Sequence, residues 1–232
     1  MTGSVFLIPT FLYDQAIETI PTYVLNAVKQ CQVFFVENER TARRHLKLLW
    51  REMVIDDYKW FTIHKAEDEV QKSFTSLLKE GKNIGIISEA GCPGVADPGQ
   101  LLVNEAQKMG ATIKPLVGPS SILLALMASG MNGQLFQFSG YIPIDVNERR
   151  TAIKELEIDS AKRNCTQIFI ETPYRNNQLV KQILETCKAQ TRLCIAVDLT
   201  SPTESIVTKT IAEWKKSLPD IHKRLAIFLL HG

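Results

Sequence analysis

The densest chemistry in the sequence lies at residues 88–99, Ser-Glu-Ala-Gly-Cys-Pro-Gly-Val-Ala-Asp-Pro-Gly. Three glycines, two prolines and two carboxylates follow directly on the apolar run Ile84 to Ile87. Glycine lets a backbone approach a ligand closely, and proline fixes a loop before any ligand arrives. In a parallel sheet the carboxyl ends of the strands face the ligand crevice. A plain strand-to-helix connection is usually only a few residues long, so the segment reads as a ligand loop. Cys92 within it reads as a small loop residue, since no nearby histidine supports a cysteine–histidine pair.

A second cluster, Val117-Gly118-Pro119-Ser120-Ser121, sits at the start of an apolar helix. Two readings stand side by side. Ser120 or Ser121 caps the helix, or the free N–H groups of its first turn take a carboxylate or phosphate. A third feature is electrostatic. Arg40, Arg44, Lys47 and Arg51 recur at i, i+4, i+7 and i+11, one narrow stripe of a helix. Residues 39–51 carry five basic side chains against one acidic, while the whole chain has a net charge of only +2. No acidic residue stands four places along the stripe to pair with it. The stripe is therefore either a phosphate-binding face or a solvated one.

Other chemistries lack their residues. The sequence has no G-x-x-x-x-G-K-[ST], no G-x-G-x-x-G after its first strand, no H-E-x-x-H and no G-x-S-x-G. His45, His64, His222 and His231 are scattered without metal-ligand spacing, so no metal is expected. Cys31, Cys92, Cys165, Cys187 and Cys194 form no C-x-x-C pair and are odd in number, as expected of free thiols in a reducing cytoplasm.

These motifs need a scaffold, and the apolar pattern supplies one. Strand-length runs occur at Val5–Ile8, Val33–Val36, Trp60–Ile63, Ile84–Ile87 and Thr112–Val117. Between them lie helical segments from Pro21 to about Gln30, Glu39 to Arg51, Ala66 to Glu80 and Leu101 to Met109. After a helix at Ser120–Ser129, the second half predicts strands at Leu135–Phe138, Gln167–Ile170, Leu193–Val197, Ser205–Thr210 and Leu225–Leu230. Helices are expected at Glu148–Leu156 and from Pro173 onward. No long helix fits between 193–197 and 205–210, so part of this second sheet must be antiparallel. The expectation is an α/β protein of two α/β domains, 1–116 and 117–232, with a parallel sheet in the first, a mixed sheet in the second and an active-site cleft between them.

The order of the motifs resembles the tetrapyrrole methylase superfamily, the class III S-adenosylmethionine-dependent methyltransferases. It is most similar to the branch that methylates a ribose 2′-oxygen of small-subunit ribosomal RNA. Ile87-Ser88-Glu89-Ala90-Gly91-Cys92-Pro93 with Asp97-Pro98-Gly99 resembles S-D-A-G-T-P…D-P-G, and Gly118-Pro119-Ser120-Ser121 with Ala128-Ser129-Gly130 resembles G-P-S…A-S-G. Phe136-x-Phe138-x-Gly140-Tyr141-Ile142-Pro143 resembles F-x-F-x-G-F-L-P, Glu171-Thr172-Pro173-Tyr174-Arg175 resembles E-S-P-H-R, and Asp198-Leu199-Thr200 resembles E-L-T. Departures are equally specific. The first loop, Pro9 to Asp14, lacks the glycine and asparagine of P-T-P-I-G-N-L, and E-D-T-R becomes Glu37-Asn38-Glu39-Arg40. Glu89 and Cys92 replace an aspartate and a threonine, and residues 222–226 lack K-G-E.

The resemblance implies S-adenosylmethionine as cofactor and a homodimer. It implies cofactor contacts from Ser88, Glu89, Ala90, Gly91 and Cys92, from Ser120 and Ser121 at the methionyl end, and from Leu199 and Ala226 as walls. A ribose hydroxyl is a poor nucleophile until deprotonated. Glu37, at the carboxyl end of the second strand, is the candidate base; the competing reading has it capping the next helix or pairing with Arg40. Arg40, Arg44, Lys47 and Arg51 would then bind substrate. The implied partner is ribosomal RNA or the small ribosomal subunit. Two alternatives are methylation of a tetrapyrrole or other small molecule, and cofactor binding without turnover. Met1-Thr2-Gly3-Ser4 has no basic stretch of the secretory type, and the apolar run at Ile122–Met127 falls far short of a membrane span, so a cytoplasmic protein is expected.

Overall fold

The computed structural model describes residues 2–63 and 67–232. Met1, His64 and the expected helix start at Ala66 lie outside the described residues. The chain divides into two compact units, Met1–Ser120 and Ser121–Gly232.

In the first unit, β1 (Ser4–Ile8), β2 (Val33–Val36), β3 (Lys59–Thr62), β4 (Ile84–Ile87) and β5 (Thr112–Pro115) form one sheet in the order β3-β2-β4-β1-β5. Every pairing in it is parallel. All the carboxyl ends therefore lie along one edge. The inner strands are apolar at nearly every position because both faces are covered. On one face Phe6, Ile8, Phe34 and Val36 pack with α1 (Val24–Val28) and α2 (Glu39–Leu49). On the other, Val5, Val33, Phe35 and Ile86 pack with α3 (Glu67–Lys79) and α4 (Gly99–Lys108).

Helix α1 is shorter than the segment expected from Pro21, because its preceding residues form single turns instead of a continuing ladder. Asn38 is the N-cap of α2, accepting from the N–H groups of Arg40 and Thr41. The capping reading of Glu37 is thereby corrected: the residue after it does that work.

In the second unit, α5 (Ser121–Ser129) precedes β6 (Phe136–Tyr141), α6 (Val146–Arg163), β7 (Thr166–Ile170), α7 (Asn176–Thr186), β8 (Arg192–Val197), β9 (Ser205–Thr210), α8 (Ile211–Trp214) and β10 (Ala226–His231). The strand order is β6-β7-β10-β8-β9. β6 and β7 run parallel and the remaining pairs antiparallel, so the sheet is mixed. Helix α6 outruns the expected Leu156 by almost two turns. Its last part has no apolar stripe to announce it. Instead buried Glu157 accepts from the Lys188 N–H and the Thr191 hydroxyl, and buried Ser160 donates to the Cys165 carbonyl. Polar partners, some of them distant in sequence, take the place of the missing apolar face.

Candidate functional site

The carboxyl-end edge of the first sheet brings together loops far apart in sequence. Ile87 stands beside Ile8 and Val36 in the register. The next residues of the three strands, Pro9, Glu37 and Ser88, therefore leave the sheet at one level. Thr10 and Gly91 then form an isolated antiparallel bridge, with N–H to carbonyl distances of 2.9 and 3.2 Å. The Thr10 hydroxyl also reaches the Ser88 carbonyl at 3.3 Å. Gly91 has φ +73°, a conformation that side chains rarely adopt, and is buried against Leu12 and the Pro119 carbonyl. Gly118 lies so close to the Pro9 ring that an added Cβ would fall 2.1 Å from its Cβ. The first loop, the loop after β4 and residues 118–120 are thus one packed cluster.

Glu37 belongs to this cluster. It is half-buried, and its Oε2 accepts the Glu89 N–H at 2.9 Å, while its own N–H donates to the Ile87 carbonyl. Ser88 is buried, and Glu89 and Ala90 are exposed. The N–H groups of Ala90 and Cys92 have no hydrogen-bond partner among the described residues. Asp97 ties the far half of the loop, its carboxylate accepting from Gly94 and Gly99. The Cys92 thiol lies 3.5 Å from the Pro119 carbonyl, and burial pushes it up from its ordinary value, so it is a packed thiol rather than a thiolate. Ser120 and Ser121 are half-buried at the amino end of α5, whose first N–H groups have no carbonyl within the helix to bond.

Leu199 and Ala226 belong to the second unit. Leu199 is buried in a turn whose neighbours Asp198 and Thr200 both have positive φ. Ala226 opens β10 opposite Val197. Asp198 holds this turn to the strand start by accepting from Arg224 Nε at 2.7 Å and the Leu225 N–H at 3.1 Å.

The basic stripe differs from its sequence reading in one respect. All four of its residues are exposed, but Arg44 is paired: it reaches both carboxylate oxygens of Asp14, at 2.7 and 2.9 Å. Asp14 is thirty residues away on the first loop, so no spacing rule on the helix finds it. Lys47 donates to the Arg51 and Met53 carbonyls and so ties down the segment that follows α2. The side chains of Arg40 and Arg51 take no ion-pair partner among the described residues.

His45 had no role in the sequence reading. On α2 it is 2% exposed, packed edge-on to Phe11 at 4.6 Å and lying against the Pro9 carbonyl without a well-aligned hydrogen bond. Burial lowers its pKa to about 4. The neutral ring is the folded form, so the unfolded chain takes up the proton first as pH falls. Stability from this group is complete above about pH 6.5 and lost towards pH 4. Between pH 7 and 5 the loss is expected to be about 2 kcal/mol. His45→Leu should flatten that part of the pH profile in urea unfolding; an unchanged profile would exonerate His45.

A family model for Tetrapyrrole (Corrin/Porphyrin) Methylases matches residues 17–215. The chain belongs to this family. Among curated members, ribosomal RNA small subunit methyltransferase I of Vibrio cholerae serotype O1 is 32% identical over 179 residues, 75% of this chain and 60% of that protein. The protein of that name from Mesorhizobium japonicum is 34% identical, with 62% of this chain matched and 47% of that protein. The chain thus matches less than two thirds of the length of these two relatives. That from Escherichia coli O157:H7 is 28% identical, over 99% of this chain and 78% of its own. The fold of the family is seen in the methyltransferase CobJ, which superposes with a TM-score of 0.65 at 14% identity, covering 100% of this chain and 95% of that one. A uroporphyrin-III C-methyltransferase from Thermus thermophilus, complexed with S-adenyl homocysteine, superposes with a TM-score of 0.57 at 15% identity, covering 99% and 97%. Both sheets of this chain, one parallel and one mixed, are those of the family fold.

Proposed function

We propose that this chain is an S-adenosylmethionine-dependent methyltransferase that acts on a ribose 2′-hydroxyl of ribosomal RNA, as a cytoplasmic homodimer. The observation that carries the reading is the match to an rRNA small subunit methyltransferase I along 99% of the chain. The residues fit the cofactor: an adenosyl and methionyl ligand needs backbone donors, and the loop after β4 has N–H groups at Ala90 and Cys92 with no hydrogen-bond partner among the described residues. Ser88 to Cys92, Ser120 and Ser121 would hold it, with Leu199 and Ala226 as apolar contacts.

When bound, this group supplies a methyl already activated on a sulfonium. The chain's work is then to align and to deprotonate. The chain's own part would be to hold the acceptor hydroxyl in line with that methyl and to take up its proton at Glu37 Oε1 or Oε2. Proximity and orientation account for most of the barrier that the protein removes. Among the described residues no helix is long and apolar enough to cross a membrane.

The test is methyl transfer to purified small ribosomal subunits, followed by mass spectrometry of the digested nucleosides. A new 2′-O-methyl nucleoside is expected. Methyl incorporation into a tetrapyrrole but not into RNA would overturn the reading in favour of the small-molecule alternative. The stripe on α2 gives a second measure. Changing Arg40 and Arg51 together to Gln should flatten the salt dependence of RNA binding by about 1.4–1.8 in log K against log salt, if each grips one phosphate. Arg44→Gln should do less, because Asp14 already offsets its charge. An unaltered slope in the double variant would make the stripe a solvated face.

A further inference from the structure

Tyr174 is 71% exposed, yet it is held in place. It sits in the short 3-10 turn Pro173–Arg175 that follows β7. The Pro173 carbonyl accepts the Lys223 N–H at 3.0 Å. On its other side, Arg175 donates to the carboxylate of Glu171 at 2.6 Å, and the same carboxylate oxygen accepts the Thr172 N–H. Glu171 is buried and, among the described residues, its second oxygen has no hydrogen-bond partner and its charge is met by Arg175 alone, so the turn is anchored on that pair.

Around the ring the chemistry is cationic and aromatic. The Lys223 ammonium lies 5.8 Å from the ring centroid, and the His222 ring meets it edge-on at 6.1 Å. Lys223 has φ +62°, a conformation unfavourable for a side-chain-bearing residue and one that tends to mark functional positions. A second exposed tyrosine, Tyr141, lies within electrostatic reach of Arg175. Arg224, next in sequence, is already committed to Asp198. Asp220 is committed as well, accepting from Asn177 and from the His222 N–H.

Tyr174 lies nearly fifty residues before His222 and Lys223 in sequence, and the fold brings the three side chains together on one surface. An exposed π-face backed by a cation suits an unpaired base with its neighbouring phosphate.

We propose that Tyr174, backed by Lys223 and His222, is a stacking platform for an unpaired base of the RNA substrate, with Lys223 on the adjoining phosphate. This rests on the RNA reading above. The experiment is fluorescence anisotropy with a labelled single-stranded RNA of about ten nucleotides, within the usual site size, and with its duplex. Tyr174→Ala is expected to weaken single-strand binding by about 5–150-fold, while Tyr174→Phe keeps the π-face and stays near wild type. Lys223→Gln, which preserves the backbone demand, should lower the salt slope by about 0.7. Duplex binding should not change in any of them. Wild-type affinity in Tyr174→Ala overturns the platform and leaves the RNA reading standing. A wild-type protein that binds neither RNA form at low salt overturns both.

Discussion

Glu37→Gln is expected to lower methyl transfer by about 10²–10⁴-fold, the span of a lost general base, while cofactor affinity changes little. The substitution is informative because of what it keeps. The Gln amide oxygen can still accept the Glu89 N–H that Oε2 accepts now. The link between the end of β2 and the loop after β4 therefore survives, while the carboxylate's charge and its proton acceptance are removed. Glu37→Ala removes both, and should lower turnover at least as far while also weakening cofactor binding through a loosened loop. The pair of variants separates two roles. If Gln is as active as wild type and Ala is not, Glu37 is a positioning residue for Ser88 to Gly91. If both are as active as wild type, Glu37 has no part in the reaction. Steady-state rates at saturating cofactor, with affinity measured separately by calorimetry, make the distinction.

What the sequence made legible was local. The runs at β1, β2 and β4 are apolar throughout because each face of the first sheet meets its own helices, and that doubly buried pattern is visible residue by residue. The antiparallel part of the second sheet followed from linker length alone. The glycine-rich loop after β4 was visible for its composition. What was not legible was long-range polar pairing. Asp14 meets Arg44 across thirty residues, Thr10 bridges Gly91 across about eighty, and His222 meets Tyr174 across nearly fifty. A spacing rule on one helix or strand has no access to such partners. The same blindness shortened α6: Glu157 and Ser160 look like surface residues in sequence and are buried by hydrogen bonds to residues 165–191. His45 shows the limit from the other side, since nothing in its place on a basic helix marks it as buried, and it packs edge-on against Phe11.

Gly91→Val should reduce cofactor affinity by about 5–150-fold in a protein that still folds. Two effects act together. Valine at φ +73° is strained by about 1–3 kcal/mol. Its branches also extend from a Cβ already 3.4 Å from Leu12 and from the Pro119 carbonyl, so the loop must shift to admit them. The Thr10–Gly91 bridge is what fixes the exposed residues 89 and 90, and a shift there moves the N–H groups expected to meet the ligand. Gly118→Ala acts on the same cluster from the opposite side, where the added carbon collides with the rigid Pro9 ring. Relieving that overlap costs about 1–3 kcal/mol and parts the first loop from residues 118–120. Gly110→Ala supplies the control. Gly110 has φ +65° with open space around it, just past the end of α4 and at the opposite, amino-terminal side of β5. It should lower the melting temperature through the same kind of backbone strain while cofactor affinity stays at the wild-type value. If Gly91→Val and Gly118→Ala lose stability to the same degree as Gly110→Ala and still bind the cofactor normally, the cluster is structural and the ligand lies elsewhere. If affinity falls in these two and holds in the third, the packed loops at the carboxyl edge of the first sheet are the cofactor site.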